Sequence, residues 1–82
     1  MQEPYGHPNS VIVTCLEPEG CNVYFEPWGS EYRLQPGDWL VVTTDAVSTG
    51  QFEVSYSPGA ISLGFTAGEP VITNGAGGRI QI

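Results

Sequence analysis

Hydrophobic and polar residues alternate along most of this chain with a period of two, the spacing of a strand with one buried face. Residues 21–26 place Val23 and Phe25 on one face and Asn22, Tyr24 and Glu26 on the other. Residues 31–35 set Tyr32 and Leu34 against Glu31, Arg33 and Gln35, and residues 51–56 set Phe52, Val54 and Tyr56 against Gln51, Glu53 and Ser55. Ile61, Leu63 and Phe65 form a matching apolar triplet after the Ser57-Pro58-Gly59 turn, as a hairpin partner would. Two stretches, residues 10–16 and 39–44, are apolar on both faces and read as central or interface strands. No helical window appears, because apolar residues at i, i+3, i+4 and i+7 never recur without an intervening Gly or Pro.

Turn chemistry divides these runs. Pro27 and Gly29 break one strand, and Gln35-Pro36-Gly37-Asp38 has the Pro and Gly placement of a type II turn. Residues 45–50 read as an exposed polar loop, and Asn74 to Gly78 as a glycine-dense reversal. The pattern predicts strands at 10–17, 21–26, 31–35, 39–45, 50–57, 60–65, 70–74 and 79–82. Short connections favour antiparallel hairpins between sequence neighbours. The expected fold is all-β: a small antiparallel β-sandwich or partly closed barrel of seven to eight short strands, with no helix of note. Its centre is the stretch 23–44, which holds both tryptophans. Residues 1–9, with Pro4, Gly6 and Pro8, are expected to be a flexible tail, and residues 10–82 a single all-β domain.

Length makes stability the first concern. A chain of 82 residues buries only roughly 60% of its unfolded surface, so dense aromatic packing, a cross-link or self-association would help it. Cys15 and Cys21 lie six residues apart, which suits neither a zinc knuckle nor a redox C-x-x-C. Two reduced, half-buried thiols are the first reading. A Cys15–Cys21 disulfide across the mouth of a hairpin is the second, and it requires residues 16–20 to form a five-residue loop. A four-residue loop would put the thiols on opposite faces.

Charge narrows the partners. Nine acids stand against two arginines and no lysine, a net charge of −7. Such a surface repels nucleic acid and anionic lipid alike, so neither is an expected partner. No run approaches the ~20 apolar residues of a membrane span, and the N-terminus lacks the basic and apolar regions of a secretory signal. These features favour the cytoplasm, or secretion if Met1 stands in place of a removed leader.

Chemistry is sparse. His7 is the only histidine and sits in the predicted tail, so no nucleophile–base–orienter set forms. Glu26 and Glu31 flank Trp28 and are the one carboxylate pair near an aromatic; they read better as a solvated turn rim. The glycine loop at 75–78 lacks the helix and lysine of a phosphate cradle. No catalytic residue, metal site or cofactor is expected.

Leu34-Gln35-Pro36-Gly37-Asp38 resembles the PGD turn of cupin domains, though the clustered histidines that bind metal in cupins are absent. The phrase Glu26-Pro27-Trp28-Gly29, with Tyr32, Leu34, Pro36 and Gly37 after it, resembles a group of small bacterial all-β proteins with an EPWGxxYxLxPG pattern. That resemblance implies a β fold and a bacterial source, and no activity. The functional expectation is a non-enzymatic module that self-associates or binds a protein partner through an aromatic turn. Tyr24, Glu26, Trp28, Glu31, Tyr32 and Arg33 are the candidate binding residues, since aromatics and Arg are the usual interface anchors. The alternative is a small-ligand or carbohydrate binder that stacks its ligand on the same aromatics. Trp28 either caps one end of the core or faces a partner.

Overall fold

A computed structural model of the chain describes residues 9–66 and 68–82. Eight strands run in the order β1 (Ser10–Thr14), β2 (Cys21–Glu26), β3 (Ser30–Leu34), β4 (Trp39–Thr43), β5 (Phe52–Ser57), β6 (Ala60–Phe65), β7 (Val71–Asn74) and β8 (Arg79–Ile80). A single helical turn, α1 (Ala46–Thr49), lies between β4 and β5. The strands form two four-stranded sheets, β1-β4-β7-β8 and β3-β2-β6-β5. They make an open sandwich, and the barrel alternative falls away. The predicted tail lies outside the described residues except for Asn9, whose carbonyl accepts from Thr44 N at 2.9 Å.

Pairing between sequence neighbours holds for only three of the seven neighbouring pairs: β1–β2, β3–β4, β4–β5 and β6–β7 each step from one sheet to the other. β1 and β2 belong to different sheets, so the Pro18-Gly20 turn carries the chain across the sandwich and does not close a hairpin. β2 and β6 pair in parallel, with Val23 opposite Ile61 and Phe25 opposite Leu63. The absence of a crossover helix rules out parallel pairing only between sequence neighbours. Here three strands and α1 separate the two partners, and part of that path runs through the other sheet. The β2–β3, β5–β6 and β7–β8 hairpins form as the alternation predicts.

The core follows the same alternation. Val23 and Phe25 of β2, Leu34 of β3, Leu40 and Val42 of β4, Leu63 of β6 and Ile72 of β7 are fully enclosed. Each such side chain is worth about 1.5–3 kcal/mol over its exposed state. β4 is a central strand as expected, with Val41 buried as well. The loop expected at 45–50 is exposed at Asp45, Thr49 and Gly50 but winds into α1, which buries Ala46; the Ala46 N–H donates to Thr44 Oγ1 at 3.3 Å. The triplet on β5 faces its β6 partners in the predicted register, yet Val54 is 52% and Tyr56 64% exposed. β5 is an edge strand, so much of its inner face stays open to water.

The corner between β1 and β2 is the most constrained part of the sandwich. Cys15 and Cys21 are bonded, with Cα atoms 5.9 Å apart, and both are fully buried. The reading as reduced, half-buried thiols is therefore overturned: each cysteine ends a strand of a different sheet and points into the shared interior. The Cys15 peptide is held by the type II turn, with Cys15 N donating to Asp38 O at 2.9 Å and Gly37 N to Cys15 O at 2.8 Å. Asp38 N closes that turn on Gln35 O at 3.0 Å, and Gly37 takes the positive φ of 84° that the turn requires. Gly20 ends the corner at φ 86°, where a Cβ would stand 2.7 Å from Leu34 O. Only glycine fits there.

Replacing both cysteines by serine is expected to lower unfolding free energy by about 2–3 kcal/mol, the loop-closure value for a ring this short. Urea denaturation of the oxidised protein against the double variant measures it. A difference near zero would mean that the cross-link does not constrain the unfolded chain.

Candidate functional site

The Glu26-Pro27-Trp28-Gly29 corner joins β2 to β3 as a four-residue loop between the paired Phe25 and Ser30. Gly29 N donates to Phe25 O at 2.7 Å, and the Glu26–Pro27 peptide is cis. Trp28 lies folded back over the end of the sandwich. Its ring meets Phe65 at a centroid distance of 5.6 Å, and Phe65 meets Phe52 at 5.1 Å, both tilted. Such offset aromatic contacts add about 0.5–1.5 kcal/mol beyond area burial. Phe65 is buried, while Trp28 remains 41% exposed. Trp28 is thus a lid with one face packed and the other in water.

An open groove of about 360 Å³ lies beside this lid, lined by Glu26, Pro27, Phe52, Glu53, Gly64 and Phe65 among others. Register explains its shape. Gly64 lies between Glu26 on β2 and Glu53 on β5, so the outer face has no side chain where the two carboxylates flank it.

The structure separates the six predicted binding residues into three groups. Glu26 and Trp28 belong to the corner. Tyr24, Glu31 and Arg33 stand on the outer face of β2 and β3, where Tyr24 pairs with Glu31 on one side and with Ser62 on the other. Tyr32 turns inward and is half-buried against the core. It lines a cleft with Leu34, Trp39 and the Asn74–Ala76 turn. Arg33 is already engaged, donating from Nη1 to Asn22 Oδ1 at 3.1 Å and from Nη2 to the Glu19 carbonyl. It braces the disulfide corner as well as offering charge. Glu26 and Glu31 are both exposed, without the apolar enclosure that poises a carboxylate pair for acid–base work.

Four participants lie outside the predicted set: Phe52, Phe65, Tyr56 and Glu17. Phe52 and Phe65 complete the aromatic row behind Trp28, and their alternation marked them as core without marking them as its support. Tyr56 Oη donates to Glu17 Oε1 at 2.7 Å, a contact spanning 39 residues that no local signal announces. It fastens the disulfide corner to the β5 edge. Among the described residues, no group of three or more His, Cys, Asp or Glu is placed to hold a metal ion, and no helix is long and apolar enough to cross a membrane. His7 lies outside the described residues. Comparison with known families, with curated proteins and with solved structures returns no match.

The Tyr56 phenol is held above its ordinary pKa of 10.0, first by its hydrogen bond to Glu17 and then by lost solvent and the carboxylate's charge. The neutral phenol is the donor, so folding favours its protonated form. The clasp is therefore intact below the unfolded value and is lost as pH rises through the folded one. Phenolate absorbance is expected to show one tyrosine ionising above the usual range, and Glu17→Ala to bring that step down. An unchanged titration in the variant would remove Glu17 as the cause.

Proposed function

We propose that this chain is a non-enzymatic binding or assembly module, which self-associates or takes a protein partner on its Trp28 corner. One observation carries the reading: Trp28 is half-exposed while its other face rests on the Phe65–Phe52 row. An aromatic already ordered before contact loses little side-chain freedom on binding, and this is what makes a good interface anchor. The absence of lysine and the net charge of −7 favour a partner other than nucleic acid or anionic lipid. The buried Cys15–Cys21 bond supports an oxidising compartment in place of the cytoplasm expected from the N-terminus.

A second reading draws on the groove beside Trp28. A sugar ring or other small ligand would stack on the exposed indole face, with Glu26 within reach of its hydroxyls. The two readings differ in what Trp28 reports.

Trp28→Ala is expected to weaken self-association or partner capture by about 2 kcal/mol or more, the scale of an interface anchor, while the fold persists. Association unchanged by the substitution, measured by sedimentation or on an affinity column, removes the corner from the interface. Sugar-dependent quenching of Trp28 emission in a Trp39→Phe background, with no association, would put the ligand reading in its place.

A further inference from the structure

β3 is an edge of its sheet, paired with β2 on one side and with no strand on the other among the described residues. Its sequence, Ser30-Glu31-Tyr32-Arg33-Leu34, is symmetric in position and opposite in charge about Tyr32. An open edge presents unpaired N–H and C=O groups to any strand that can match it. A two-fold contact between identical chains must be self-complementary, and one register of this strand sets opposite charges against each other. Centred on Tyr32, Glu31 of each copy lies opposite Arg33 of the other, and Ser30 lies opposite Leu34. Centred on Glu31, the two carboxylates would oppose each other; centred on Arg33, the two guanidinium groups would. Like charges directly opposite are destabilising and opposite charges favourable.

The surrounding side chains support the same register. Glu31 is exposed, and among the described residues its cross-strand neighbour is Tyr24. The Arg33 guanidinium is held on the β2 side by the Asn22 amide oxygen and the Glu19 backbone carbonyl and keeps further donors for a carboxylate. Arg33 is one of only two cations in a chain of net charge −7, and the other, Arg79, is on the opposite sheet. Two copies therefore repel each other in most orientations, and this edge is where a copy brings the charge its twin lacks. The β5 edge has exposed Val54 and Tyr56 but Glu53 as its only charge, so nothing in it selects a register or an occupant.

We propose that β3 is a self-complementary docking edge, through which two copies of this chain pair antiparallel about Tyr32 and join their four-stranded sheets into one. The proposal names the partner that the assembly reading leaves open, and it rests on that reading. Glu31–Arg33 contacts form twice across the axis, and the two half-buried Tyr32 rings meet on the inner face.

Sedimentation of the full chain over a range of concentrations tests this. The wild type is expected to dimerise, more weakly at high salt. Glu31→Arg turns two attractive pairs into two repulsive ones and is expected to weaken association at least roughly ten-fold. Arg33→Glu should do the same, and a mixture of the two variants should form a heterodimer about as tight as the wild-type dimer. Arg33→Glu also loses the corner contacts; if it does not fold, a graded loss from wild type to Glu31→Gln to Glu31→Arg supports the edge. Dimerisation that Glu31→Arg leaves intact but Trp28→Ala abolishes overturns the β3 edge and keeps the aromatic corner. A wild type that stays monomeric at its highest soluble concentration also overturns the edge, while capture of a different protein through Trp28 would preserve the module reading.

Discussion

The covalent crossing at Cys15–Cys21 is the constraint on which the sandwich depends. Two sheets of four short strands share a thin core, and an 82-residue chain has little apolar area with which to hold them together. The bond lies inside that core, between the residue that follows β1 and the first residue of β2. Everything around it serves the same corner. The type II turn at Pro36-Gly37 holds Cys15, Arg33 holds the Glu19 carbonyl, and Tyr56 holds Glu17. Strands β3 and β5, and the turn that leads into β4, are thereby tied to one corner.

That corner also fixes where binding surfaces can exist. With β2 crossed over to the second sheet, its free flank is taken by β6 in parallel, which leaves β3 and β5 as that sheet's edges. The aromatic row then runs inward from Trp28 through Phe65 to Phe52 at the opposite end of β2 from the disulfide. One end of the sandwich is closed by a covalent bond and its hydrogen bonds, the other by packed rings. The ring end is the one that keeps an exposed aromatic face, because rings packed at a rim shed water on one side only.

Much of this fold is legible in the sequence, since each strand has a buried face and a period of two records it. Val23 with Phe25, and Ile61 with Leu63 and Phe65, lie inward as their alternation requires. Sheet membership is not legible in the same way. Alternation states which side chains point inward, and it is silent on which strand lies beside which. The parallel β2–β6 pair and the crossing at Pro18-Gly20 both fall in that gap. The first cysteine reading, two reduced thiols, failed for the same reason, while the alternative disulfide forms without the hairpin it was tied to: these two thiols meet across sheets. For the candidate site, the loop residues Glu26 and Trp28 were readable from turn chemistry. The second role of Arg33, bracing a loop 14 residues away, and the Tyr56–Glu17 clasp depend on tertiary placement alone.

The acidity of the chain takes its meaning from these edges. An open sandwich of short strands is at risk of indiscriminate edge-to-edge pairing. Net negative charge opposes that pairing at long range, in every register and at every edge. Repulsion of this kind cannot distinguish one partner from another, so specificity needs a local exception to it. Arg33, placed two residues from Glu31 on an edge strand, is such an exception: the spacing puts both side chains on the same outer face. In the proposed pairing, a copy centred on Glu31 or on Arg33 would meet like charge, and one centred on Tyr32 would meet its complement twice. In a chain with two cations in all, the proposed pairing takes its specificity from the position of that one arginine and not from the acidic surface as a whole.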